Sequence, residues 1–294
     1  MSKSQIELKE WFILLFLSLV WGSSFILIKK SLVGFNFFEM GLMRTVIAFL
    51  TFLPFVFYFA KKINWSRWKE YTLIGATGSA MPAFLYAIAQ TEISSIASGL
   101  LNSLTPMFTV IFGLLFFNIK SNWYQLLGVS VGLIGAIIII LYGSEFDIGS
   151  NPNYAIFVVL GTMCYAMNAN FIKHLFQKED PMVLGAVSFL FIGVPFFFIA
   201  IYVGIPAKVI SEPAARWSLL YVSVLAVMST VVSLILYYQL IQRTTPLFAS
   251  SVTYLIPVVV LFWGVLDGES LVVFHFVGLL LIIGGVYLVR RGSQ

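Results

Sequence analysis

Charge is scarce in this chain. Only 10% of its 294 residues are Asp, Glu, Lys or Arg, against 60% hydrophobic and a mean hydropathy of +0.99. Soluble domains carry roughly a quarter of their residues charged, so the shortage excludes a soluble globular fold and requires lipid as solvent. Cysteine is nearly missing: Cys164 alone permits no intrachain disulfide and no cysteine-based metal motif. The two histidines, His174 and His275, fall in different halves of the chain without paired ligand spacing and read as interfacial residues rather than metal ligands. No GxxxxGK[ST] loop exists to cradle a phosphate, which argues against direct use of ATP. Acids are missing from mid-depth, since Glu39, Glu92 and Glu269 sit at span ends, so proton coupling through a buried carboxylate has no support. The net charge of +5 and pI near 9.2 come from basic residues in short loops, the topology signal of a membrane protein rather than a nucleic-acid patch. No cofactor and no metal are implied.

What is present is apolar and long. With ~20 residues needed to cross the hydrocarbon, ten spans fit, over residues 11–29, 37–60, 71–91, 94–117, 123–142, 153–173, 182–203, 217–241, 246–265 and 273–289. The stretch from Trp11 comes after a short mixed-charge N-terminus and lacks a small-residue cleavage site, so it reads as a retained first helix rather than a signal peptide. Twelve basic residues fall at the termini and in the even-numbered loops: Lys3, Lys9, Lys61, Lys62, Arg67, Lys69, Lys120, Lys173, Lys178, Arg243, Arg290 and Arg291. The odd-numbered loops hold four, Lys29, Lys30, Lys208 and Arg216, and two of those loops carry only acids, Glu145 with Asp147 and Asp267 with Glu269. Both termini are therefore expected in the cytoplasm.

The chain also repeats itself. Offset by 144, Leu17, Trp21, Ser24, Ile28 and Lys29 fall on Gly161, Tyr165, Asn168, Ile172 and Lys173. Offset by 151, Ser79, Pro82 and Tyr86 fall on Thr230, Ser233 and Tyr237. The chain thus divides into two units, residues 1–146 and 147–294. Five spans each is an odd number, so the second unit enters the membrane inverted. The expected fold is an all-α membrane protein of ten helices in two inverted-topology five-helix repeats around a central cavity, a plan on which many secondary transporters are built.

The repeated stretches ASGLLNSLTPMFTVIFG (97–113) and FASSVTYLIPVVVLFWG (248–264) carry the clearest functional pattern. Ser98, Asn102, Thr105 and Thr109 share one helical face, and Thr253 matches Asn102. Pro106 and Pro257, at matched positions, each remove a backbone donor and free a carbonyl, offering hinges or ligand carbonyls. Spans 1 and 6 add Trp21 and Ser24 against Tyr165 and Asn168. Spans 3 and 8 add Tyr86 and Gln90 against Tyr237. Ser79, Ser98, Thr109 and Thr230 are read as helix-packing residues. Asn102, Asn168, Gln90 and the aromatic positions are costlier to leave unpaired in hydrocarbon, and a water-filled cavity would satisfy them. The cavity set is thus Trp21, Ser24, Tyr86, Gln90, Asn102, Thr105, Tyr165, Asn168, Tyr237 and Thr253, for a small-molecule substrate. Arg44 lies about seven residues into span 2, roughly 10 Å deep, where an isolated Arg costs about 2.5 kcal/mol or more. Its partner is either a carboxylate-bearing substrate or a brace to Glu92 or to freed carbonyls of span 1. The brace is preferred. Spans 5 and 10 carry Gly128, Gly132, Gly135, Gly278 and Gly285, seams that pack on a neighbouring helix or, in a homodimer, on a second protomer; a monomer is the simpler reading.

With WGSSFILIKK in span 1, MRTVIAFLTFLP around Arg44, LYAIAQTEISSIASGLLNSLTPMFTVIFG, QLLGVSVGLIGA, ASSVTYLIPVVVLFWGVLDGE and FVGLLLIIGGVYL in this order, the chain resembles the EamA-like ten-helix carriers of the drug/metabolite transporter superfamily. The resemblance implies spans 1, 3, 4, 6, 8 and 9 around a central cavity, residence in a bacterial cytoplasmic (inner) membrane, and movement of small metabolites, often amino-acid export. The family usually has Glu at the end of span 4, as Glu269 does after span 9; Asn118 stands there instead. The expected function is export of a small polar or zwitterionic, amino-acid-like metabolite by alternating access. A passive channel shares the cavity, and a membrane-embedded enzyme lacks a nucleophile, base or metal cluster at shared depth.

Overall fold

A backbone immersed in lipid finds no water for its N–H and C=O groups, so each crossing must satisfy them internally. In a computed structural model the described residues, 8–117, 123–142 and 151–291, form helices and turns, with no strand among them. Lys3, Asn118, Lys120, Glu145 and Asp147, used above for orientation and family pattern, lie outside the described residues. Eight segments are long and apolar enough to cross a membrane: Leu8–Ser31, Phe37–Tyr58, Trp65–Ala89, Ser95–Phe116, Pro152–Leu175, Pro181–Tyr202, Pro213–Arg243 and Phe248–Leu266. Shorter apolar stretches cover Leu127–Ile139 and Val273–Leu288. The exposed side chains on the long helices, such as Phe12, Leu19, Phe57, Ile137, Phe198 and Leu280, are themselves apolar, which suits lipid and not water. This is an integral membrane protein.

Local sequence sets the helix starts. Asn36 and Glu39 form a reciprocal capping box for α2 (Phe37–Tyr58), and α1 is Leu8–Ser31. Ser94 caps α5 (Ser95–Leu101) by accepting from the Ala97 N–H, ahead of which come α3 (Trp68–Gly75) and α4 (Met81–Ala89). The chain continues as α6 (Thr105–Phe116), α7 (Trp123–Tyr142), α8 (Ala155–Leu175), α9 (Pro181–Tyr202), α10 (Ile205–Ser211), α11 (Pro213–Val224), α12 (Ser233–Arg243), α13 (Pro246–Ser250), α14 (Ile256–Leu266) and α15 (Val273–Arg291). Pro181 and Pro213 occupy first-turn positions, where a missing N–H costs nothing.

Four spans are not regular, and they are broken in matched pairs. Widened π-turns occupy Ala76–Ala80, between α3 and α4, and Leu225–Val232, between α11 and α12. Met81 N donates to Ala76 O and Ser233 N to Met228 O, each across five residues. Tight 3-10 turns at Asn102–Leu104 and Ser251–Tyr254 interrupt the spans just ahead of Pro106 and Pro257. The prolines thus sit in the first turns of α6 and α14 rather than at the breaks themselves.

The apolar core divides into two clusters. One gathers Phe25, Ile28, Met40, Leu100, Val158 and Ile256; the other gathers Leu17, Phe52, Ile74, Ile172, Val187 and Leu240. Helices α1, α2 and α8 each contribute to both, one end to each cluster, and Trp21 borders the two. Between them lies a polar layer. The glycine seams hold α7 against α15: a Cβ on Gly135 would stand 2.6 Å from Gly278 O, and one on Gly285 2.5 Å from Gly128 O. Such backbone-to-backbone approach is open only to the smallest residues, and here it is spent within one chain.

Candidate functional site

The four broken spans meet α1, α2 and α8 around one cavity holding about 770 Å³ free of protein atoms, its open mouth included. Of the residues expected there, Trp21, Ser24, Tyr86, Asn102, Thr105, Tyr165, Asn168, Tyr237 and Thr253 line it. Gln90 does not. Helix α4 stops at Ala89, so Gln90 leaves the helical face it would share with Tyr86, and its Nε2 turns to Ser98 Oγ at 3.4 Å. Ser79 and Thr230, read as packing residues, line the cavity instead, as do Gly78 and Ser229. Offset 151 pairs Ser79 with Thr230 without separating packing from cavity, and the same offset pairs Gly78 with Ser229.

The aromatic contacts recur at the repeat offsets. Trp21 and Tyr237 meet edge to face with centroids 5.0 Å apart, and their counterparts Tyr165 and Tyr86 meet at 5.9 Å. Trp21 Nε1 donates to Ser229 O at 2.9 Å, on one π-turn, while Asn168 Nδ2 donates to Ile74 O at 2.8 Å, beside the other. Ser24 and Ser229 share a 2.6 Å hydroxyl contact. At the corresponding place Asn168 faces Gly78, where a Cβ would come within 2.7 Å of Nδ2. Two medium side chains on one side thus equal one large and one absent on the other. Tyr86 Oη donates to Asn102 Oδ1 at 2.5 Å.

The carbonyls freed by the prolines are already taken. Pro106 releases Asn102 O, which accepts from Thr105 Oγ1 at 2.7 Å. Pro257 releases Thr253 O, which accepts from Ser103 Oγ at 3.1 Å, tying one broken span to the other. Val252 O accepts from Ser18 Oγ at 3.2 Å. This corrects the expectation that these carbonyls are offered to a ligand: an unpaired carbonyl here is costly, and nearby hydroxyls fill the role.

Arg44 is also corrected. No brace to Glu92 forms; Glu92 lies in the turn beyond α4. The Arg44 side chain, 6% exposed, instead lines the cavity, with Nε donating to Thr230 Oγ1 at 3.0 Å. It is the one charged residue among the described residues that line it.

Charge gathers at the two ends. Past α14, Asp267 and Glu269 flank Gly268, whose φ of 79° lies in the left-handed region that favours glycine. Lys29 meets Asp267 at 2.7 Å and Glu269 at 2.8 Å, and Lys30 also pairs with Asp267. Glu269 further accepts from Ser95 N and Oγ and from Ile96 N, capping α5 with a carboxylate. Burial alone would push the Asp267 carboxyl up, but the hydrogen bonds and charges of Lys29 and Lys30 outweigh it and hold the group below its ordinary value. At the opposite end Lys173 donates to the carbonyls of Ile241, Gln242 and Thr244, where α12 stops. Among the described residues no three His, Cys, Asp or Glu gather as a metal site. His174 stacks on Phe117.

Comparison with known proteins gives the architecture a context. An uncharacterized inner membrane transporter of Escherichia coli K12, YedA, is 26% identical over 280 residues, covering 94% of this chain and 89% of its own. An uncharacterized transporter of Archaeoglobus fulgidus is 23% identical over 290 residues, covering 97% and 99%. A solved structure, described only as a crystal structure of a protein, shares the fold at a TM-score of 0.61 and 16% identity, over 96% of this chain and 98% of that one. The sequence profile of the EamA-like transporter family matches twice, at residues 8–141 and 153–291. The chain belongs to the EamA-like transporter family.

Proposed function

We propose that this transporter is a secondary carrier that exports a small polar metabolite by alternating access. In this reading ten helices form two inverted five-helix units, residues 1–146 and 147–294, and a single chain encloses one substrate site. The observation that carries it is the pair of counterpart aromatic contacts, Trp21 with Tyr237 and Tyr165 with Tyr86. Each joins a helix of one half to the helix that follows the π-turn of the other. Two nearly equivalent sets of contacts are what a carrier needs if its halves are to exchange roles at small free-energy cost. The aromatic pairs shape the cavity, Asn102 and Thr253 supply polar groups, and the turns before Pro106 and Pro257 act as hinges. Both termini face the cytoplasm, on the basic-residue asymmetry, and the outward direction rests on the family resemblance. The substrate leaves chemically unchanged, and no cofactor takes part.

The test is counterflow. Proteoliposomes of the full chain, preloaded with a metabolite panel, should accelerate uptake of the matching radiolabelled solute in a saturable way. Flux that rises linearly with concentration and ignores the preloaded solute would point to a channel.

A further inference from the structure

We infer that the cavity selects a small organic monoanion: a carboxylate held by Arg44, on a flat apolar body lying between the aromatic pairs. The inference rests on the reading of this cavity as the substrate site, and narrows it. Arg44 donates through Nε to Thr230 Oγ1 and reaches the Tyr165 side chain. Two neutral hydroxyls leave most of the five guanidinium N–H donors without a charged acceptor. The Arg44 side chain lines the cavity and carries the planar fork that matches a carboxylate. Thr230, on the π-turn packed against α2, anchors the guanidinium, and no carboxylate among the described lining residues answers it. Glu39 is taken by Lys208, and Asp267 and Glu269 by Lys29 and Lys30.

A second, independent observation is Ser79. Its Oγ is buried, 3% exposed, without a hydrogen-bond partner, and the residue lines the same cavity. Its counterpart Thr230 is occupied by Arg44, so the cavity has a cationic side and, besides it, an idle hydroxyl. A monoanion with a hydrogen-bonding substituent satisfies both. An ammonium group does not fit: the neighbouring acceptors Asn102 Oδ1 and Ser229 O already receive Tyr86 and Trp21, and no acid among the described lining residues neutralises it. An amino acid can seat its carboxylate yet is penalised for its amine, so the acid lacking the amine binds better.

A matched set of probes on one skeleton tests this by calorimetric titration of the full chain in detergent at pH 7: 3-phenylpropanoate, phenylalanine, 3-phenylpropylamine and 3-phenylpropan-1-ol. The propanoate should bind about tenfold or more tightly than the alcohol and the amine, with phenylalanine between, a gap in the range of one charge-assisted hydrogen-bond pair. Arg44→Gln should bring the propanoate to the level of the alcohol and leave the alcohol unchanged. Arg44→Lys should restore part of the gap. Equal or tighter binding of the amine, no binding of the propanoate, or an equal loss for acid and alcohol in Arg44→Gln would each overturn the inference. The wild-type series decides even where a variant fails to fold. Counterflow with a cationic solute would leave the carrier reading standing and remove this one; anion binding without counterflow would do the reverse.

Discussion

At one end of the bundle Lys29 reaches two acids, and at the other its repeat counterpart Lys173 reaches three carbonyls. Both lysines close a helix end, yet by different physics. The Lys29 end is an ionic cluster of four charges that also caps α5 through Glu269. The Lys173 end sets one charge against the partial negative charge at the end of α12, with Gln242 Nε2 adding bonds to Phe176 O and Glu179 O. An ionic cluster responds to salt, pH and single mutations; a charge on carbonyls responds weakly to all three. The two closures therefore differ in how readily they are undone, even where the chain repeats.

The largest expected break of this comparison is Glu269→Ala. The Glu269 side chain is 5% exposed and receives Lys29, two backbone N–H groups and one hydroxyl. Removing it strands those donors, at a cost of about 3 kcal/mol. Lys173→Ala should cost about 1 kcal/mol or less. Thermal unfolding in one detergent should rank the two in that order. Cysteine reporters sharpen the point: in a Cys164→Ala background, Ile28→Cys, which lines the cavity toward Lys29, should label faster once Glu269 is gone, while Leu234→Cys should not. Equal effects from the two lysine ends would dissolve the distinction.

A second comparison lies inside the cavity, between Gly78 with Asn168 and Ser229 with Ser24. Gly78→Ala sets a methyl within 2.7 Å of Asn168 Nδ2, which must leave Ile74 O; overpacking plus a lost buried bond amounts to about 2 kcal/mol. Ser229→Ala loses one hydroxyl contact and keeps the carbonyl that Trp21 uses, about 1 kcal/mol. Counterflow should fall much further in the first variant than in the second. The double variant Gly78→Ser, Asn168→Ser tests the exchange of volumes directly, since it copies the Ser229–Ser24 pair and should recover part of the loss.

The polar stripes are legible because helical spacing and the two offsets both report which residues share a face. That logic assembles Trp21, Tyr86, Asn102, Tyr165, Asn168 and Tyr237, all of which line the cavity. It fails where helices stop being regular. The π-turns at Ala76–Ala80 and Leu225–Val232 rotate the helical turns beyond them. Nothing in the spacing marks them except Pro82, whose missing N–H disrupts the ladder, and its counterpart Ser233, whose Oγ reaches Met228 O. Gln90 escapes the spacing rule because α4 ends one residue before it. Depth alone marks Arg44 as buried, but the direction it faces depends on which helices neighbour α2, and residue spacing carries no such information. The Lys29 cluster joins residues 240 apart, beyond the reach of any local pattern.

The smallest expected effect separates the two ends by pH. In Asp267 the carboxyl is held below its ordinary value by Lys29 and Lys30, so the folded state binds its proton less readily than the unfolded chain. A depressed carboxyl contributes stability that is fully present above the ordinary value of 3.8 and is lost as pH falls through the lower, folded value. Both lysine side chains are more than a third exposed, 37% and 43%, and screening limits the contribution to about 1 kcal/mol or less. Asp267→Asn should thus melt slightly below the wild-type protein at pH 6, and the gap should close as the pH is lowered past 3.8. Added salt at pH 6 should narrow the same gap, while Lys173→Ala should keep a constant offset across both titrations. A gap for Asp267→Asn that does not narrow at all as the pH falls below 3.8 would assign its effect to packing beside Gly268 rather than to charge.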